Sequence, residues 1–161
     1  MFDKVVRITG KRYVAADGVV LYPAQDQLTG EVLSVDLGVE YTKVLLPGTY
    51  FFFDTVSGNH AVYSKADLAE IARYYGLKGT MFRVGKIIKS EPVEGTTHVR
   101  IEVAYLKDSN ELAVVSGKLG PKGDGPSIPE KKDLVEGRII IMALSVTNFT
   151  IVAVLNIEND V

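Results

Sequence analysis

The sequence predicts a mainly β protein: a β-sandwich or β-barrel of largely antiparallel strands, with one α-helix at about residues 65–75. Three observations point there. Short runs rich in Val, Ile, Tyr and Phe recur along the chain, separated by Gly, Pro, Asn and Asp. One of them, from Thr97 to Leu106, alternates apolar and polar residues, the period of a half-buried strand. Only Lys65 to Tyr75 carries helix start, face and stop signals together.

The elements follow in chain order. Lys4 to Ile8, Arg12 to Ala16 and Val19 to Tyr22 read as strands, broken at Thr9-Gly10-Lys11 and Asp17-Gly18. Asp-Gly between apolar runs marks a hairpin, because the glycine accepts positive φ. Glu31 to Asp36, Tyr41 to Leu46 and Thr49 to Asp54 continue the series, with a Pro47-Gly48 turn before the last. The region from Phe53 to Ala61 reads as a hairpin loop.

The helix has Ser64 as its N-cap and Asp67 at the third helical position, a form of capping box. Tyr63 is placed to staple onto Leu68. Leu68, Ile71, Ala72 and Tyr75 share one face, and Gly76 with Leu77 supplies the stop.

Strands resume at Thr80 to Ile88, where Gly85 points to a bend or bulge. In Thr97 to Leu106, Val99, Ile101, Val103 and Tyr105 point inward, and His98, Arg100 and Glu102 outward. Asp108-Ser109-Asn110 makes a turn, and Glu111 to Ser116 pairs back. Residues 117–133 hold four glycines, three prolines and little to bury, which reads as a long loop or arm. Ile139 to Ile157 contains no charged residue. Its length would span a bilayer, but its Ile and Val content and central Thr147-Asn148 read as a hairpin buried on both faces.

At 161 residues the chain suits a single domain, 1–161, with a self-sufficient core. A net charge of -2 argues against general attraction to nucleic acid or anionic membrane. The absence of cysteine excludes a disulfide framework, thiolate zinc sites and a cysteine nucleophile. Met1 to Arg7 has no signal-peptide pattern, so cytoplasmic synthesis is expected.

Catalytic patterns fail on inspection. Asp54, Ser57 and His60 are strand-loop neighbours with no oxyanion donors in view. Two histidines cannot build a His-only metal site beyond two ligands, and no HExxH or EF-hand spacing is present. Gly85-Lys86 lacks the Ser/Thr of a phosphate-binding loop. No enzyme activity, cofactor or metal is expected.

Leu68-Ala69-Glu70-Ile71-Ala72-Arg73-Tyr74-Tyr75-Gly76-Leu77 resembles the second helix and turn of helix-turn-helix regulators. The resemblance implies DNA binding through residues 64–83. Gly79 and Gly85 then stand where a recognition helix belongs, each costing about 1 kcal/mol there.

The leading expectation is a non-enzymatic structural protein that assembles as a homo-oligomer, alone or with other structural proteins. In architecture it resembles small virion subunits: capsid decoration (cement) proteins, or phage tail-tube and tail-completion subunits. Such an assembly works by edge pairing, arm exchange and apolar burial between neighbours. Expected contact residues are Leu119, Ile128, Ile140, Met142, Phe149 and Ile151. The alternatives are DNA binding through the 64–83 segment and a small-ligand-binding β-barrel.

Overall fold

A computed structural model describes residues 2–38, 43–74, 81–96, 98–109, 111–119, 134–144 and 149–155. It has two antiparallel sheets and one helix, and the chain builds them in turn. The first sheet comes from β1 (Lys4–Ile8), β2 (Tyr13–Val14), β3 (Val20–Asp26), β4 (Val32–Val35), β5 (Tyr50–Phe53) and β6 (His60–Tyr63). Its order is β2-β3-β1-β5-β6, with β4 also paired to β3. Helix α1 (Lys65–Tyr74) follows. The second sheet comes from β7 (Met81–Pro92), β8 (Val99–Leu106), β9 (Leu112–Leu119), β10 (Ile139–Leu144) and β11 (Phe149–Leu155), in the order β11-β10-β7-β8-β9. The β-rich class with a single described helix is as expected, and among the described strands neither sheet closes into a barrel.

The two sheets share one apolar cluster. Val5, Tyr50 and Phe52 of the first sheet meet Val84, Ile139, Ile141 and Ala143 of the second, with Phe2 and Leu68. Phe52 is fully buried, with Phe2 and Tyr63 rings packed on it. Period-two alternation sends the neighbouring residues to the outer faces. Val6, Ile8 and Phe51 join Tyr22, Ala24, Val35 and Leu45 on the far side of the first sheet. Ile140 and Met142 join Ile87, Val99, Ile101, Val103, Leu134 and Ile151 on the far side of the second. Strand β10 is thus buried on both faces, which explains why Ile139 to Leu144 carries no polar residue. The expected hairpin is present from Ile139↔Leu155 to Leu144↔Phe149; residues 145–148, with the expected turn, lie outside the described residues.

The helix forms as its capping signals require. Ser64 Oγ accepts from Asp67 N at 3.1 Å, and Asp67 Oδ2 accepts from Ser64 N at 2.9 Å. Leu68 and Ala72 are buried, Ile71 is half-buried, and Tyr63 packs into the same cluster as Leu68. Tyr75, Gly76 and Leu77 lie outside the described residues.

Several boundaries differ from expectation for identifiable reasons. Lys43 to Leu46 is not a strand: β5 is already paired with β1 and β6 on its two sides, which leaves no edge for it. Instead the segment buries Leu45 in the first sheet's outer cluster, with Leu45 N donating to Tyr22 Oη at 3.2 Å, and the turn after it is tied down by Gly48 N donating to Ile8 O at 2.7 Å. Strand β3 runs on through Pro23 to Asp26, since Pro23 keeps its acceptor role by taking Thr9 N–H at 2.9 Å. Gly85 makes no bulge; register is regular there, and the shift falls between Ile87 and Lys89. The glycine is needed because a Cβ at this position would stand 2.4 Å from Val103 Cγ1. Strand β9 extends through Gly117, Lys118 and Leu119, because β8 continues opposite them to Val99. Residues 117–119 of the expected 117–133 arm are thus strand; residues 120–133 lie outside the described residues.

Candidate functional site

An open groove of about 1170 Å³ lies between the 43–49 segment and the β6–α1 junction. One wall is Lys43, Val44, Leu45, Leu46, Pro47 and Thr49; the other is His60, Ala61, Val62, Ser64, Lys65, Ala66 and Asp67. Its local order follows from sequence. Gly48 takes a φ of 91°, and the Lys65 chain lies where a Cβ on Gly48 would stand, 2.3 Å from Lys65 Cε. The turn and the first helical residue are therefore packed against each other. Leu45 and Thr49 are buried beneath the groove, while Val44 and Leu46 stand 56% and 70% exposed.

Electrostatics at the groove are mildly basic. Asp67 is held below the usual carboxylate range by Ser64 backbone and side-chain hydrogen bonds, with a smaller contribution from Lys43. Its charge is thus committed to the helix cap. Lys43 and Lys65 remain as the positive groups of the lining. Strand β6 stands at the end of its sheet and, among the described residues, pairs only with β5.

Asp54 and Ser57, two of the residues weighed as a triad, are held in hydrogen bonds within their own loop. Asp54 Oδ1 accepts from Val56 N at 2.9 Å and Ser57 N at 3.2 Å, and these bonds hold its pKa at about 2. Ser57 Oγ accepts from Asn59 N at 3.2 Å. His60 stacks on Phe51 with centroids 5.3 Å apart. The loop uses Asp54 and Ser57 to fold itself.

A second polar cluster lies where Arg7 and Arg83 approach each other, and it escaped sequence reading. Arg7 lies opposite Tyr50 on β5 and Gln25 on β3. Arg83 Nη2 bonds Asp108 Oδ1 at 2.9 Å, and its Nη1 donates to Phe82 O at 2.9 Å. Tyr50 donates to the same carbonyl at 3.0 Å, and burial pushes its pKa up. The only sequence signal was an arginine within each of two apolar strands.

The expected contact residues divide. Ile140, Met142 and Ile151 are interior: their exposures of 0%, 0% and 4% leave no surface to offer another subunit. Their all-apolar run reflects a strand covered on both faces within the chain. Leu119 and Phe149 end β9 and begin β11, with their side chains outside the described set; Ile128 lies wholly outside it. The helix-turn-helix resemblance is carried by α1, but residues 81–83 belong to β7, so no recognition helix runs through them. No described helix is long and apolar enough to cross a membrane. No group of three metal-ligating side chains occurs among the described residues.

Compared with known proteins, the chain matches no family model, no curated protein and no solved structure.

Proposed function

We propose that this protein is a non-enzymatic assembly subunit that binds a second copy of itself along the β6 groove, in the manner of a virion structural component. The observation that carries this reading is the coincidence of an end strand, β6, with exposed Val44 and Leu46 on the facing wall. A strand edge offers regularly spaced backbone donors and acceptors, which suit an extended polypeptide better than a compact ligand. Lys43 and Lys65 favour an acidic occupant, and the chain itself carries a net charge of -2. Strand β9, the end strand on the second sheet, shows Leu112 and Val114 to solvent and gives a second edge of the same kind. Edges on both sheets permit head-to-tail growth into rings or tubes.

The test is sedimentation over a concentration series with the intact protein and the Leu46→Asp variant. The native chain is expected to self-associate, and the variant to remain monomeric with an unchanged circular dichroism spectrum. A native protein that stays monomeric throughout would remove the proposal.

A further inference from the structure

Arg7 and Arg83 bring two permanently charged guanidinium groups to one crevice between the sheets, lined also by Gln25, Gln27, Leu106, Lys107 and Asp108. Asp108 is the sole carboxylate in that lining, and its side chain is 73% exposed against 13% for Arg83. Arg7 is less well served: its Nη2 reaches Gln25 Oε1 at a long 3.4 Å, and its Nε is buried with no hydrogen-bond partner. An unmet buried donor on a charged group is costly, and a second guanidinium lining the same crevice adds to that cost. The crevice holds only about 10 Å³, room for one water-sized atom, with the Asp108 turn forming part of its wall.

We propose that Arg7 and Arg83 form a binding site for a small oxyanion, with the Asp108 carboxylate as its resident occupant. An incoming phosphate or carboxylate displaces the exposed Asp108 carboxylate from Arg83, and that side chain swings out to solvent. The ligand then takes the Arg83 Nη2 bond and supplies the acceptor that Arg7 Nε lacks. Planar guanidinium forks recognise both oxyanions by paired N–H donors. The site stands apart from the β6 groove and does not depend on self-association.

The experiment follows thermal melting during titration with inorganic phosphate or acetate, against sodium chloride at matched ionic strength. It uses the native protein, Asp108→Asn, and Asp108→Asn combined with Arg7→Lys. Asp108→Asn removes the competing carboxylate from an exposed turn and is expected to tighten binding about three- to fivefold, the scale of a part-exposed ion pair. Adding Arg7→Lys keeps the charge but deletes the Nε donor, and is expected to abolish the saturable response. A saturable response to either anion beyond the chloride control supports the site, and the stronger of the two shows which oxyanion geometry it accepts. Absence of any saturable shift in Asp108→Asn beyond the chloride control would overturn the proposal.

Discussion

Asp26 and Asp54 occupy the same position in two hairpin loops of one design. Asp26-Gln27-Leu28-Thr29-Gly30-Glu31 joins β3 to β4, and Asp54-Thr55-Val56-Ser57-Gly58-Asn59 joins β5 to β6. In each, the aspartate Oδ1 accepts from the second and third following amides, and the glycine N donates back to the aspartate carbonyl at 2.8 Å. The Thr29 or Ser57 hydroxyl then accepts from the amide two residues on. Both glycines sit near φ 80°.

This pairing has a consequence in acid. The pKa of Asp54 is lowered to about 2 by its bonds to the Val56 and Ser57 amides. A depressed carboxylate stabilises the fold above its unfolded pKa and loses that contribution as pH falls through the folded one. The loss for Asp54 therefore runs from about pH 4 down to about pH 2. Asp54→Asn is expected to flatten the acid limb of a urea-midpoint profile in that window. An unchanged limb would contradict the assignment. At neutral pH the buried Asp26 is the more costly to lose, and Asp26→Ala should destabilise by about 1–2 kcal/mol.

Gly85 and Val103 are closely packed in the second sheet. With Val103 Cγ1 2.4 Å from the position of an added Cβ, and Ala104 O and Met142 Cε at 3.2 Å, the Gly85→Ala variant must displace a fully buried side chain. We expect a loss of about 1–3 kcal/mol in urea unfolding. Val103→Ala in the same background should recover part of it, since the first obstruction is gone. Equal stability of Gly85→Ala and the native protein would show that the sheet relaxes freely there.

Ser64 and Asp67 act as a unit, because each satisfies the backbone amide of the other. Ser64→Ala should cost about 1 kcal/mol. Asp67→Ala should cost a similar amount, and the double variant clearly less than the sum. Additive losses in a double-mutant cycle would mean that the two bonds are independent.

Much of the fold was legible because its signals are local. The helix start needed only Ser64 and Asp67 three residues apart, and the turns at Gly18 and Gly48 needed only their neighbours; both adopt positive φ. The alternation of Val99, Ile101 and Val103 told inside from outside without knowledge of any partner strand. Failures came where pairing decided the outcome. Tyr41 to Leu46 looks like a strand, yet both edges of β5 are taken and its described part, Lys43 to Leu46, is not one; residues 41–42 lie outside the described residues. Gly85 looks like a bend, and is instead a place where Val103 comes too close for any Cβ.

The β6 groove and the Arg7–Arg83 crevice were invisible for the same reason. Each joins residues far apart in sequence: Leu46 with Val62, and Arg7 with Arg83 and Asp108. By itself, the sequence determined that this chain is β-rich with one capped helix, and where several of its turns fall, because backbone conformation and side-chain alternation are set within a few residues. Tertiary structure alone decided that the uncharged 139–144 run is core rather than interface, because only the packing of two sheets determines which apolar faces are already covered.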